Sequence, residues 1–321
     1  MKKSIVALAV LAAGLAQADG TTLYGSVRMA YTYDSKGSIK ANINENKNKS
    51  TSKFGDNGSR FGIKGSDDLG NGLSAFYKYE NRIGKGHAET NKLYAGLEGG
   101  FGKVSIGKQN WPRDELSNYS DPTNQFETDY GRAAETSSDN SFAYVSPDMG
   151  GLSFAAAVVA NGKIDGTGLD VNRHIDAYDL LAQYSANGFY AGVGYQQLNP
   201  KKGYAVSMNK AKNVGLGVGY GNDMFEVGLL AEKEMNKGPV DPLFARLGGA
   251  YNFSEMDKVY GSVSYHDPDT KALKKVKGAT VGYQHNFSKQ TRVWAEYGYK
   301  SKEVKGGKTS NKVGLGLRTD F

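Results

Sequence analysis

The sequence predicts an all-β fold, a transmembrane antiparallel β-barrel of about 16 strands with a long constriction loop folded into its lumen. Three observations predict it. Apolar and polar residues alternate with period two along segments of about ten residues, which is the signature of strands and not of helices. The connections between these segments alternate between short and long. Beyond the N-terminus there is no apolar run of the roughly 18 residues that a membrane helix needs, and mean hydropathy is −0.54. A closed barrel satisfies its backbone hydrogen bonds between neighbouring strands and needs only every second side chain to be apolar, so a membrane barrel can read as hydrophilic on average.

The first residues are predicted to lie outside the fold. Lys2 and Lys3 form a positive start, Ile5 to Leu15 is an apolar stretch of signal-peptide length, and Ala16-Gln17-Ala18 gives the small-x-small cleavage pattern. Residues 1–18 are therefore expected to be a signal peptide, and 19–321, beginning at Asp19, a single barrel domain.

Along that domain the alternation is strict. Phe189, Ala191, Val193 and Tyr195 share one face, and Tyr190, Gly192, Gly194 and Gln196 the other. Val214, Leu216, Val218 and Tyr220 alternate with Gly215, Gly217 and Gly219. Phe225, Val227, Leu229 and Ala231 oppose Glu226, Gly228, Leu230 and Glu232. Val293, Ala295, Tyr297 and Tyr299 oppose Arg292, Trp294, Glu296 and Gly298. A soluble β-sandwich also alternates, but here the apolar faces are many and similar while the opposite faces carry Gly, Ser, Gln and charge, as a wet lumen would. Aromatics such as Tyr33, Tyr77, Tyr251, Phe253 and Phe287 gather near segment ends, where interfacial girdles lie.

Short links are expected at 67–72, 99–102, 147–150, 187–188, 221–223, 254–257 and 288–290, most with Asn-Gly or Gly-rich turn chemistry. Longer polar links fall near 35–54, 84–90, 109–138, 162–174, 199–209, 235–242, 268–275 and 301–309. Seven short and eight long links give 16 strands, a size that leaves an aqueous channel and not a filled core. The last strand, with Val313, Leu315, Leu317 and Thr319 outward and Phe321 terminal, resembles the signal read by the barrel-assembly machinery, and it is expected to close against the first strand near Leu23.

The longest link contains Arg113, Asp114, Glu115, Asp121, Glu127, Asp129, Arg132 and Glu135, a mostly acidic set, and long structureless loops in compact domains are usually functional. Strand phase turns Arg60, Lys64, Lys78, Arg82 and Lys103 inward, because a charge facing mid-membrane lipid costs roughly 2–4 kcal/mol; Lys108 completes the candidate basic wall. An acidic loop facing a basic wall would set up a transverse field that biases passing ions. The alternative is that these charges simply wet a broad lumen.

Other function classes fail on the residues. With 40 basic and 33 acidic residues the excess is small and spread along the chain, unlike a nucleic-acid-binding stripe. Without Lys2 and Lys3 it is +5, which hints at a weak anion preference against the acidic loop. Cysteine is absent and only His87, His174, His266 and His285 are available, so no metal or cofactor site is expected and no serine sits in a nucleophile-elbow context. Gly102-Lys103 and Gly307-Lys308-Thr309 lack the first glycine of a P-loop, being preceded five residues earlier by Leu97 and Lys302. An enzyme is therefore not expected. A sugar-specific channel would show a lumenal aromatic ladder, and only Phe76, Tyr94 and Trp294 are inward by phase; a substrate-specific channel for sugar or anion is the alternative to a general one.

Several stretches resemble the neisserial and β-proteobacterial general porins: Thr22-Leu23-Tyr24-Gly25, then 58–66 with Asp67-Asp68-Leu69-Gly70-Asn71-Gly72-Leu73, then 99–104 with Ile106-Gly107-Lys108, and 313–318 before the terminal Phe321. The resemblance implies a 16-stranded homotrimer in the outer membrane of a Gram-negative bacterium, in contact with its lipid, passing ions and small hydrophilic solutes with weak charge selectivity, its third loop narrowing each barrel. The chain departs from the family in having Lys108 where arginine is usual, and 109–140 does not match residue by residue.

Overall fold

The computed structural model describes residues 20–35, 50–84, 87–130, 132, 137–160, 174–199, 211–235, 240–305 and 307–321. The proposed cleavage site and Asp19 lie outside them, as does Glu135. In chain order the strands are β1 (Thr21–Asp34), β2 (Thr51–Asp56), β3 (Arg60–Gly70), β4 (Leu73–Gly84), β5 (His87–Gly99), β6 (Gly102–Asn110), β7 (Ser137–Val145), β8 (Leu152–Val159), β9 (Ala177–Ala186), β10 (Phe189–Leu198), β11 (Lys212–Gly221), β12 (Phe225–Met235), β13 (Leu243–Asn252), β14 (Asp257–Asp267), β15 (Val276–Asn286), β16 (Thr291–Lys300) and β17 (Ser310–Asp320). A 3-10 turn, Pro112–Ser117, is the one helical piece among the described residues, and no helix there is long and apolar enough to cross a membrane.

From β3 onward each strand pairs antiparallel with the next, and β1 pairs with β2, β3 and β17, so the sheet closes. The 17 segments make 16 staves, because β2 and β3 both pair with β1, end to end. Local chemistry explains the interruption. The Asp56 carboxylate accepts the N–H groups of Gly58 and Ser59, both at 2.9 Å, which turns the chain at a glycine with φ +87°. The Ser59 hydroxyl then accepts from the Arg28 N–H at 2.9 Å and donates to the Arg28 carbonyl at 3.2 Å, replacing ladder bonds across the gap.

Burial follows the alternation, but with polarity reversed relative to a soluble protein. Along β10, Phe189 and Val193 are 60% and 54% exposed, while Tyr190, Gly192, Gly194 and Gln196 are buried. Val281, Leu315 and Val263 are likewise exposed. The apolar set faces out and the polar set faces in, as a barrel in hydrocarbon requires. Exposed aromatics cluster at the short-turn end, where Phe189 meets Tyr220 at 4.8 Å and Tyr220 meets Phe225 at 5.6 Å between ring centroids. His285, with Nδ1 2.7 Å from Asp257 and its ring edge-on to Phe287, joins this girdle.

All seven short links are turns, and two of them are Asn-Gly pairs with both residues at positive φ: Asn71 and Gly72 at 53° and 74°, Asn187 and Gly188 at 51° and 82°. These are the type I′ values that match strand twist. Three expected boundaries are corrected. The first short link shrinks to 71–72, since β3 continues through the polar run to Gly70. The link at 35–54 loses its last residues to β2. The link at 84–90 shrinks to 85–86, because His87-Ala88-Glu89-Thr90 extends β5 against β4; ladder hydrogen bonds outweigh the polarity of that run, whose Glu89 and Thr90 line the wet interior.

The seam is finished by the last residue. Phe321 donates its N–H to the Gly25 carbonyl at 3.1 Å and accepts from the Gly25 N–H at 2.9 Å. Its ring lies over Gly25, where a Cβ would strike the ring's Cζ and Cε2.

Candidate pore constriction

The long link between β6 and β7 lies against the polar, buried phase of the far strands. Its path is prepared by glycine. The inward residues of β10 to β12 and of β13, β15, β16 and β17 include Gly192, Gly194, Gly215, Gly217, Gly219, Gly228, Gly248, Gly278, Gly298 and Gly314, and a Cβ at each would strike the loop. At Gly217, for example, it would approach the Leu116 carbonyl oxygen to 2.6 Å, and at Gly228 the Tyr119 Cβ to 2.5 Å. The role of these glycines is to leave a trough for the loop. The trough ends in a small apolar cluster of Leu116, Leu181, Leu230 and Phe244, with Trp111, Val159, Ala177 and Leu198 holding the start of the segment.

Three wall charges pin the loop. Glu296 on β16 accepts the main-chain N–H groups of Asn124 at 2.6 Å, Gln125 at 3.0 Å and Phe126 at 2.8 Å, together with the Tyr260 hydroxyl at 2.8 Å. Glu232 on β12 takes Arg113 at 3.0 Å and Arg132 at 2.7 Å. Arg246 on β13, fully buried, bonds Ser120, Asp121 at 3.0 Å and Asp129. Arg113 also gives its main-chain N–H to Asp179 on β9 at 2.8 Å. A buried charge is tolerated when ion pairs and hydrogen bonds offset its desolvation, and here those bonds fix loop to wall, with the Arg113 Nε left without a hydrogen bond 3.7 Å from Asp179.

Opposite the loop, the inner faces of β3 to β6 leave a space of about 780 Å³. Asp114, Asp121, Glu127 and Asp129 line its loop side; Arg60, Lys78, Arg82, Lys92 and Lys108 line its wall side, with the carboxylates of Glu80 and Glu89 among them. Of the residues expected from sequence, these wall and loop groups come together. Arg113 and Arg132 are instead committed to the anchoring of the loop, with Arg132 also at the rim of the space. Glu115 is exposed and accepts from the Asn118 amide at 2.6 Å, outside that ring. Lys64 and Lys103 face a second space of about 470 Å³ nearer the short turns, shared with Lys78, Phe76 and Tyr94. Lys64 and Lys78 flank the Tyr24 ring at 5.6 and 5.3 Å, and Lys103 pairs with Glu98 at 3.0 Å.

The free and the spent charges differ. Asp121 and Asp129 are spent on Arg246, Glu80 lies 3.8 Å from Arg60, and Lys108 lies 3.3 Å from Asp139. Outside these pairs, Asp114 and Glu127 on the loop and Lys78, Arg82, Lys92 and Glu89 on the wall line the space. Burial pushes the carboxyls of Asp114, Glu127 and Asp129 above the usual carboxylate range, with Arg132 and Lys92 opposing the shift at Asp114 and Arg246 opposing it at Glu127 and Asp129. Lys92, Glu296, Glu232 and Arg246 were not singled out from sequence. Lys92 shares the parity of inward Tyr94, a signal that was present. The three anchoring residues are inward by phase too, but nothing local marks their partners, which lie between 100 and 172 residues away for the two glutamates.

A closed, outward-apolar barrel with a charged inner passage defines a membrane channel of the outer-membrane type. A family model described as Gram-negative porin matches residues 5–305, and the chain belongs to that family, whose members are channels of the Gram-negative outer membrane and not enzymes. The major outer membrane protein P.IB of Neisseria sicca is 31% identical over 210 residues, 60% of this chain and 58% of that protein. Outer membrane porin protein 32 of Delftia acidovorans is 31% identical over 269 residues, 79% and 66% of the two chains. The chain thus spans less than two thirds of these relatives' length. By fold it is similar to the anion-selective porin from Comamonas acidovorans (TM-score 0.74, 20% identity, 94% of this chain and 99% of that one) and to Salmonella typhi OmpF (TM-score 0.76, 15% identity, 94% and 97%).

Proposed function

We propose that the protein is a general diffusion porin: a water-filled channel through which ions and small hydrophilic solutes pass passively, with weak charge selectivity set where the 111–132 loop faces the β3 to β6 wall. The observation that carries this reading is the 780 Å³ space with loop carboxylates on one side and wall cations on the other. Solutes crossing it meet a transverse field in a low-dielectric frame, which orients dipoles and favours neither sign strongly. The space is lined by six cations and six carboxylates, so the weak preference for anions follows from the small basic excess of the chain as a whole, in keeping with the anion-selective fold relative.

Among the described residues no aromatic ladder lines the passage. Phe76 and Tyr94 form one edge-on pair, and Trp294 is covered by Gln125. This favours the general channel over a sugar-specific one. The chain is taken to lose residues 1–18 on export and to be inserted through its C-terminal strand by the barrel-assembly machinery. It is taken to assemble as a homotrimer in outer-membrane lipid; a trimer form is recorded for the fold relative OmpT of Vibrio cholerae. Single-channel recording in planar bilayers under a salt gradient tests the reading. Steps in groups of three, a small reversal potential of anion sign and no saturable block by sugars are expected; failure to conduct, or high-affinity block by one sugar, overturns it.

A further inference from the structure

The inner wall carries a second cationic element, which meets the constriction wall at Arg60. Arg28 on β1 lies directly opposite Arg318 on β17, and Arg318 lies directly opposite Arg292 on β16. Three guanidinium groups therefore share one inward row on consecutive staves, with about 5 Å between the Cβ atoms of facing residues. Like charges directly opposite each other destabilise a sheet, so the row needs an anion. One carboxylate serves it: Asp320 bonds Arg292 at 3.0 Å and Arg318 at 2.6 Å. Arg28 is left over. Its Nε donates to Ser26 at 3.1 Å, and its Nη2 is buried without a partner among the described residues. Arg60, opposite Ser26 in register, adds a fourth guanidinium, held 3.8 Å from Glu80.

The row has a defined place. Arg292 is the second residue after the short turn before β16, and the Asp320 N–H donates to Gln290 in that turn at 3.0 Å. The next inward residue along β16 is Trp294, whose indole N–H donates to Gln125 of the pinned loop at 3.1 Å. The arginines thus lie beneath the loop, on the short-turn side of the constriction.

We propose that Arg28, Arg318 and Arg292 form a binding station for a multivalent oxyanion, inorganic phosphate being the simplest member of the class. A chloride ion offers one spherical contact. A phosphate offers several oxygens, which two planar guanidinium forks can hold at once, satisfying the orphaned Arg28 donor and relieving the repulsion along the row. The station rests on the reading of the lumen as a conducting channel, and it makes phosphate pause where chloride passes.

The test is single-channel recording in potassium chloride with inorganic phosphate titrated from the short-turn side, paired with phosphorus NMR line broadening of phosphate by the detergent-solubilised protein. Millimolar phosphate is expected to reduce the chloride current saturably and to broaden the phosphate resonance. Arg28→Gln and Arg318→Gln, each verified as folded by compact migration on unheated gels, are expected to raise the half-blocking concentration roughly ten-fold, as loss of one charge-assisted contact implies. Chloride conduction without block or broadening overturns the station and leaves the porin reading intact. Equal block in wild type and in both variants also overturns it. Absence of chloride conduction overturns the porin reading and the station with it.

Discussion

At the scale of single residues, two kinds of side chain do opposite things on the same wall. Glu296 is buried, yet its two oxygens receive three consecutive main-chain N–H groups and a tyrosine hydroxyl, so its desolvation is offset by charge-assisted hydrogen bonds. Glu296→Ala would leave those donors to water or to nothing. The expected loss is about 2–3 kcal/mol, seen as a lower temperature at which the protein stops migrating compactly on gels and as a noisier open channel; an unchanged melting point and quiet current would remove the pinning role. Glycine acts by absence. Gly217→Val would drive a side chain into the Leu116 main chain, 2.6 Å from where its Cβ would stand. The barrel should still form, since the outer face is untouched, but the displaced turn should narrow the passage and lower single-channel conductance.

At the scale of elements, the loop divides its charges into those that hold it and those that face the passage. Asp121 and Asp129 belong to Arg246, and Arg113 and Arg132 belong to Glu232. The combination Asp114→Asn with Glu127→Gln should therefore shift the reversal potential towards anions, while Glu115→Gln should not. A unit charge at 4 Å in water is worth about 1 kcal/mol, so the permeability ratio should move by roughly two- to five-fold. A shift of equal size from Glu115→Gln would show that the ring is misassigned. The pH dependence has a definite sign. Burial raises the carboxyls of Asp114, Glu127 and Asp129, so they take up protons at a higher pH than exposed carboxyls, which titrate near about 4. As pH falls into that window the passage loses negative charge before the exterior does. Reversal potentials measured across acidic pH should drift towards anion selectivity above the ordinary carboxylate range, and the Asp114→Asn, Glu127→Gln combination should lose most of that drift.

At the scale of the whole molecule, the barrel is a cycle of pairings whose last link is made by the final residue. The β1–β17 seam runs from Ser26 opposite Asp320 to Asp34 opposite Lys312, and Phe321 adds two hydrogen bonds to Gly25 and covers it. An open seam would present unpaired strand edges to hydrocarbon, where each unsatisfied group costs several kcal/mol. Deleting Phe321 should slow the appearance of the compact form when the denatured chain is diluted into detergent or lipid, and should lower its melting temperature. Folding at the wild-type rate with wild-type stability would show that the terminal aromatic has no part in closure. Charge is also distributed at this scale: the wall from β3 to β6 carries lumenal cations, while the wall from β10 to β17 carries the glycines that bed the loop.

The alternation of Phe189 to Tyr195 or of Val293 to Tyr299 was by itself enough to determine strands, their phase and the reversal of polarity, because a two-residue period in a membrane has one inward set and one outward set. The type I′ Asn-Gly turns and the long-short rhythm determined the number of staves for the same local reason. Phase likewise turned Arg60, Lys78 and Arg82 inward. What only the tertiary structure decided was pairing across distance: that Glu296 receives 124–126, that Arg246 neutralises Asp121 and Asp129, that Arg113 and Arg132 share Glu232, and that Lys64 and Lys103 lie apart from the ring around Lys92. A stave count places no residue opposite another across the lumen. That depends on how a loop of some 25 residues folds back through a closed wall, and its path is selected by the sum of many contacts, no one of which is legible in its neighbours along the chain.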